Sequence, residues 1–162
     1  MIFKQADQVT GRKQPPKSQT RRPVKEGERW DGEPFNWVMK TFPGIRSIGQ
    51  QTRRIKWSVG ETYAVQPGRS KKAVGRILIT KIRRERLGDI GLNDCLAEGI
   101  EDIHGHADGQ YYVYYICPVC QLSYQEHRDA YACLWDHCYG NDAWERMKDD
   151  DCWVLEFEKC EE

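Results

Sequence analysis

The chain has 162 residues, 39% of them hydrophobic and 31% charged, with 25 Lys+Arg balancing 25 Asp+Glu. A chain of this length suits one domain that buries roughly 70% of the surface its unfolded form exposes. No apolar run is long enough to cross a bilayer and no signal-peptide pattern follows Met1-Ile2-Phe3-Lys4, so the expectation is a cytoplasmic protein with no membrane partner. Seven cysteines is an odd number, and without a secretory signal they read as reduced thiols or metal ligands. The neutral total hides a split: residues 1 to 86 hold 21 Lys+Arg against 7 Asp+Glu, whereas residues 87 to 162 hold 4 against 18. Either the basic half faces a polyanion, or the two halves neutralise each other across one fold.

In chain order, the stretch from Gln5 to Pro34 is basic and turn-rich, and Pro15, Pro16 and Pro23 rule out a continuous helix there. "TYAVQ" (Thr62 to Gln66) and "AVGRILITKIRRE" (Ala73 to Glu85) read as strands joined by the basic turn "PGRSKK". Asn93 is placed to cap a short helix, "DCLAE", that ends at Gly99. "YYVYYI" (Tyr111 to Ile116) is a further strand. Ser123 with Glu126 makes a capping box for a helix over 123–139 that stops at Gly140. Tyr131, Leu134, Trp135 and Cys138 fall on one stripe of that helix, the expected core face. "WVLEFE" (Trp153 to Glu158) alternates as an edge-like strand. Mostly strand with two helices predicts an α+β fold around a curved or closed sheet.

Cys117 and Cys120 form Cys-x2-Cys; Cys133 follows after twelve residues and His137 after three more. That is the spacing of a ββα zinc finger with cysteine in place of the first histidine. Cys133 and His137, four apart, leave one side of the helix, away from its apolar stripe. Three thiolates and one imidazole close a tetrahedron with no open position, so the expectation is one structural zinc per chain, pinning an insertion over 101–127. His104 and His106 are alternative ligands; Cys95, Cys152 and Cys160 lack partner spacing and read as ordinary thiols.

Lys17-Ser18-Gln19-Thr20-Arg21-Arg22 gathers an ammonium, two hydroxyls and two guanidiniums in six residues. With "GRKQPPKSQTRRPVKEGERWDG", "VGETYAVQPGRSKKAVGRILITKIRRERLGDI", "AEGI", "LWDHCYG" and "WVLEFE", it resembles the ASCH domain in its bacteriophage and prophage form, from about Gly11 to Glu158. The resemblance implies a PUA-like fold, a small β-barrel with flanking helices, whose cleft suits a nucleobase or a nucleic-acid strand. Some bacterial relatives are amidohydrolases that remove the acetyl group of N4-acetylcytidine with a lysine, a threonine and a glutamate. By motif these are Lys17, Thr20 and Glu98, with Arg22 the arginine after the threonine. This chain carries "QPPK" where relatives run directly into the motif, so Lys13 competes with Lys17, and the Cys-x-x-Cys insertion lies outside the usual pattern.

Independently of the family, a threonine hydroxyl needs a base beside it to act as a nucleophile, and a glutamate across a cleft can pass a proton to a departing amine. The same residues also bind phosphates without breaking a bond. Arg21, Arg22, Arg69, Lys71 and Lys72 are the candidate ligand-binding cations, flanked by Arg53, Arg54, Lys56, Arg76, Arg83, Arg84 and Arg86. Six to eight phosphate contacts would give a log-log salt slope of roughly −0.7 per contact on a single strand. Tyr111, Tyr112, Tyr114, Tyr115, Trp30 and Trp37 offer stacking faces. The leading expectation is recognition of RNA or a modified nucleoside. Hydrolysis of an N4-acylated cytidine and a phage accessory protein with a protein partner on its acidic zinc insertion are the rivals.

Overall fold

The computed structural model describes residues 1, 3, 5–11, 13, 15–31, 37–42 and 52–160. A short helix α1 (Ala6–Val9) precedes strand β1 (Gln19–Pro23), both inside the stretch that reads as turn-rich. Next come β2 (Glu28–Asp31), β3 (Trp37–Phe42), β4 (Thr52–Ser58), β5 (Thr62–Val65) and the long β6 (Gly75–Arg86). Helix α2 (Leu92–Ala97) leads into a hairpin of β7 (Glu101–Ala107) and β8 (Gln110–Ile116), then the two-residue β9 (Ser123–Tyr124). Helices α3 (His127–Tyr139) and α4 (Ala143–Met147) precede the last strand, β10 (Asp151–Lys159).

The fold is α+β and its sheets are antiparallel: β1-β10-β6-β5, β2-β3-β4 and β7-β8-β9. Among the described residues no sheet closes on itself, so the barrel expected from the sequence is not formed. No helix among them is long and apolar enough to cross a membrane.

β10 is the centre of the main sheet and not an edge. It pairs with β1 on one side and β6 on the other, and Cys152 to Leu155 are all buried. Trp153 and Leu155 enter a core with Val38, Trp57, Ile79 and Ile82; Cys152 and Val154 enter another against α3. Both faces are thus covered over Cys152 to Leu155; further on, Glu156 takes the Arg83 guanidinium, while Glu158 is exposed. The helix starts also differ. Gly91, not Asn93, precedes α2, and the Ser123–Glu126 capping box is not made, because Ser123 and Tyr124 are extended and pair with Ile116 and Tyr115. A side chain in a ladder is no longer free to cap.

Glu28 ties the second sheet to the first. Its side chain is fully buried and accepts from Trp153 Nε1 (2.8 Å), the Lys25 backbone N–H (3.2 Å) and Lys56 Nζ (2.6 Å), while Lys56 lies 3.9 Å from the centre of the Trp57 ring. Burial alone would raise the Glu28 carboxyl, but these hydrogen bonds hold it below the ordinary value; at Lys56 burial prevails and lowers the ammonium. A carboxyl depressed in the fold contributes stability above its unfolded value, near about 4.3, and loses it as pH falls through the folded value. Glu28→Gln should therefore cost about 1–3 kcal/mol at neutral pH and flatten the acid limb of a stability-versus-pH curve. Urea titrations from pH 7 to 3 check it; an unchanged acid limb would show that Glu28 is not the titrating strut.

Candidate functional site

Lys17 stands just before β1, whose next residues carry Thr20, Arg21 and Arg22; Glu98 closes α2. Two backbone bonds bring these elements together: Ser18 N–H donates to Ala97 O (2.9 Å) and Phe157 N–H to Ser18 O (2.9 Å). Gly99 turns the chain after Glu98 at φ +94, and a Cβ there would lie 2.8 Å from Gln8 Oε1. Only glycine suits both the left-handed turn and that approach. The same Gln8 is buried and donates through Nε2 to Gly99 O and Pro15 O, both at 3.1 Å, bracing the loop before Lys17 against the turn after Glu98.

Lys17, Thr20, Arg21 and Glu98 are each at most 5% exposed, and all line one cavity of about 140 Å³. Lys17 Nζ donates to Glu98 Oε2 (2.7 Å), the Glu98 carbonyl (3.0 Å) and Gln5 Oε1 (3.2 Å). Arg21 pairs with Asp94 (2.8 Å) and Glu85 (3.0 Å), leaving its Nη1 3.7 Å from Glu98 Oε1, beyond hydrogen-bond range. Burial works against the Arg21 charge, but Tyr131, Glu98 and Asp94 outweigh it and keep the guanidinium protonated. Arg22 lies over the Phe3 ring, 5.2 Å from its centre. The remaining wall is the apolar stripe of α3: Tyr131, Leu134, Trp135, Cys138 and Tyr139. The sequence marks Tyr131, Leu134, Trp135 and Cys138 as a core face, and it is one: the first three are buried in the main core cluster with half-buried Cys138 packed against it, and the same stripe also borders the cavity. Gln5 and Phe3 were missed outright, since neither belongs to a motif.

Five polar atoms of residues that line this cavity are buried without a hydrogen-bond partner among the described residues: Glu98 Oε1, Arg21 Nε and Nη1, Gln5 Nε2 and Trp135 Nε1. An orphaned buried carboxylate oxygen and orphaned donors each cost about 1–3 kcal/mol unless something pairs with them.

The other candidate residues separate into two groups. Arg69, Lys71 and Lys72 are exposed on the turn after β5, and Lys13 is exposed beside α1, away from Glu98's carboxylate. Arg83, Arg84 and Arg86 are paired with acidic residues: half-buried Arg83 with Asp94 at 2.9 Å, and on the surface Arg84 with Asp151 at 2.7 Å and Arg86 with Asp149. The basic and acidic halves thus meet across the fold, most closely at Arg83 and Asp94, while Arg84 and Arg86 stay exposed. Tyr111, Tyr112 and Tyr114 are exposed on the β7–β8 hairpin, Tyr115 is half-buried against the α3 core, and His104 binds Asp102 at 2.8 Å beside Tyr111. His104 and His106 do not join the metal cluster.

That cluster is Cys117, Cys120, Cys133 and His137, whose ligand atoms all lie within 4.8 Å of one another. Ligands about 2.3 Å from one ion in a tetrahedron stand about 3.8 Å apart; Cys120 Sγ and Cys133 Sγ are 3.4 Å apart. Cys117 and Cys120 come from the knuckle after β8, Cys133 and His137 from one side of α3. Burial pushes the Cys117 thiol up to about 12. Burial opposes ionisation at Cys120 as well, but the Leu122 N–H, His137 and the neighbouring thiols bring it down to about 7. Tyr124 hydrogen-bonds Cys133 and its hydroxyl is held well above its ordinary value by that bond. The residues can hold a metal ion. Cys95 and Cys152, raised to about 12 by burial, are inert thiols of the α3 core.

No protein-family model, curated protein or solved structure matches this chain.

Proposed function

We propose that the protein recognises a nucleobase, in RNA or a modified nucleoside, in the cleft between β1, α2 and α3, as an ASCH-type protein would. The observation that carries this reading is the set of orphaned atoms: Glu98 Oε1 awaits a donor, Arg21 Nη1 and Gln5 Nε2 await acceptors, all on one cavity. A heterocycle with N–H and C=O on one edge meets both demands. The volume limits what enters: about 140 Å³ is close to the ~150 Å³ of a cavity that holds benzene, so one six-membered ring fits and its sugar stays outside. Burial of Lys17 also argues against a plain phosphate contact, because its ammonium already donates to the Glu98 carboxylate, the Glu98 carbonyl and Gln5.

A second reading is hydrolysis of an N4-acyl group, favoured by the 2.7 Å contact between Lys17 and Glu98. Passing one proton along that bond leaves an amine and a carboxylic acid side by side, one base and one acid. The Lys17 amine would take the Thr20 proton as the hydroxyl oxygen bonds the acyl carbon. The C–N bond breaks as Glu98 protonates the departing amine, and water then frees the acid from Thr20. Zinc is the proposed metal of the cysteine cluster, since three thiolates and an imidazole in a closed tetrahedron suit it; its role there is structural.

The test is incubation of the purified protein with N4-acetylcytidine, following deacetylation by absorbance and binding by intrinsic tryptophan fluorescence, to which Trp135 on the cavity wall contributes as one of six tryptophans. Turnover lost in both Lys17→Ala and Thr20→Ala makes it a hydrolase. Binding without turnover leaves recognition alone. A fluorescence change from neither N4-acetylcytidine, cytidine nor short RNA would overturn the base-pocket reading.

A further inference from the structure

Beside the base cavity lies a second, open one of about 390 Å³, and Gln5 lines both, so the two adjoin. Its walls come from three distant parts of the chain: Gln5 and Lys13 around α1, Pro67 from the turn after β5, and Pro118 with Val119 from the metal knuckle. Val119 is 41% exposed at the tip of Cys-Pro-Val-Cys, an apolar side chain held outward by two sulfur ligands on either side of its dipeptide. The turn that supplies Pro67 continues into exposed Arg69, Lys71 and Lys72, and the Gln66 side chain fastens it by donating to Lys71 O at 3.1 Å.

From these placements we propose that the metal knuckle is one wall of a second nucleotide subsite, which holds the neighbour of the bound base in a single RNA strand. The proposal rests on the base-pocket reading above. Three features select the occupant. The base cavity is too small for more than a ring, so the rest of the ligand must leave it, and the adjoining space is where it can go. Pro67, Pro118 and Val119 present apolar surface suited to a sugar or base face, a contact that needs no base-specific hydrogen bond. Lys13 and the 69–72 turn supply the positive charge a phosphate needs, whereas Asp7, also on the wall, would repel a phosphate and suits a ribose hydroxyl. The insertion thus serves the cleft: the metal fixes a loop whose apolar tip completes it.

The experiment compares N4-acetylcytidine with a trinucleotide carrying the same base at its centre, measuring affinity by intrinsic tryptophan fluorescence on metal-loaded wild-type protein, Val119→Glu and Val119→Lys. Both variants change an exposed tip, and metal content and melting temperature confirm that each remains folded. The trinucleotide should bind wild type about tenfold tighter than the nucleoside, the size of one extra base contact. Val119→Glu should remove most of that gain and Val119→Lys should enlarge it, with nucleoside affinity unchanged within about twofold. Nucleoside binding with no gain for the trinucleotide, or trinucleotide affinity indifferent to the charge at position 119, would overturn the subsite and leave the base pocket standing. No binding of either probe would overturn both.

Discussion

Cys117→Ser should abolish stoichiometric metal binding, one zinc per chain falling to none, and unfold the segment from 101 to 126 while β6 and β10 stay protected. The β7–β8 hairpin is exposed almost throughout, with Ile103, Tyr111, Tyr112 and Tyr114 all open to solvent, and a two-stranded hairpin is marginal in water by itself. What holds it is its base, where β9 and the knuckle meet α3. Apparent binding energies of structural zinc in finger peptides are about 10–16 kcal/mol at pH 7, far above what a lone hairpin can supply. Hydrogen exchange reads the result: amides of 101–116 should exchange at near-unfolded rates in Cys117→Ser or after chelation. A metal-free protein with unchanged protection there would overturn the clasp. Tyr124→Phe, which removes the hydrogen bond to Cys133, should keep the fold and weaken metal binding about 10–100-fold. Affinity should also climb with pH. Metal-free Cys117, raised to about 12 by burial, is protonated at neutral pH, so each metal bound must displace its proton and acid favours release.

The cluster that could hold a metal ion was legible because Cys117, Cys120, Cys133 and His137 sit in one 21-residue window with finger-like spacing. The cleft was half legible. Lys17, Thr20, Arg21 and Arg22 lie within six residues, but Glu98 lies 81 residues from Lys17 and came only with a motif, and the α3 stripe, rightly legible as core, gives no sign that it also borders a cavity. β1 was hidden for a similar reason. Its prolines and charges suggest a loop, and it is a strand because β10, more than 100 residues later, pairs with Gln19 to Pro23. Local propensity cannot register such a partner. β10 misled in the opposite direction, since Glu156 suggests a solvated face until Arg83 is seen beside it, and of its glutamates only Glu158 is exposed.

Replacing one member of the Lys17–Glu98 pair should destabilise the protein, and replacing both should largely restore it without restoring function. Each side chain is 3% exposed, so removing one partner leaves a charge in a site that water scarcely reaches, a loss of about 3–5 kcal/mol. The two single variants should differ. In Lys17→Met the Glu98 carboxylate keeps Arg21 at 3.7 Å; in Glu98→Gln both cations lose it, and Lys17 retains only neutral acceptors, so Glu98→Gln should melt lower. The double variant Lys17→Met/Glu98→Gln buries no unpaired charge from this pair, and apolar or neutral replacements of buried ion pairs are often as stable as the original. Stability would thus show that folding does not require the pair, and ligand binding would show what does. Fluorescence titration of the double variant with N4-acetylcytidine should give no response. A double variant that is stable and still binds as wild type would move the functional site out of this cleft, because an ion pair removed without consequence to fold or ligand recognises nothing.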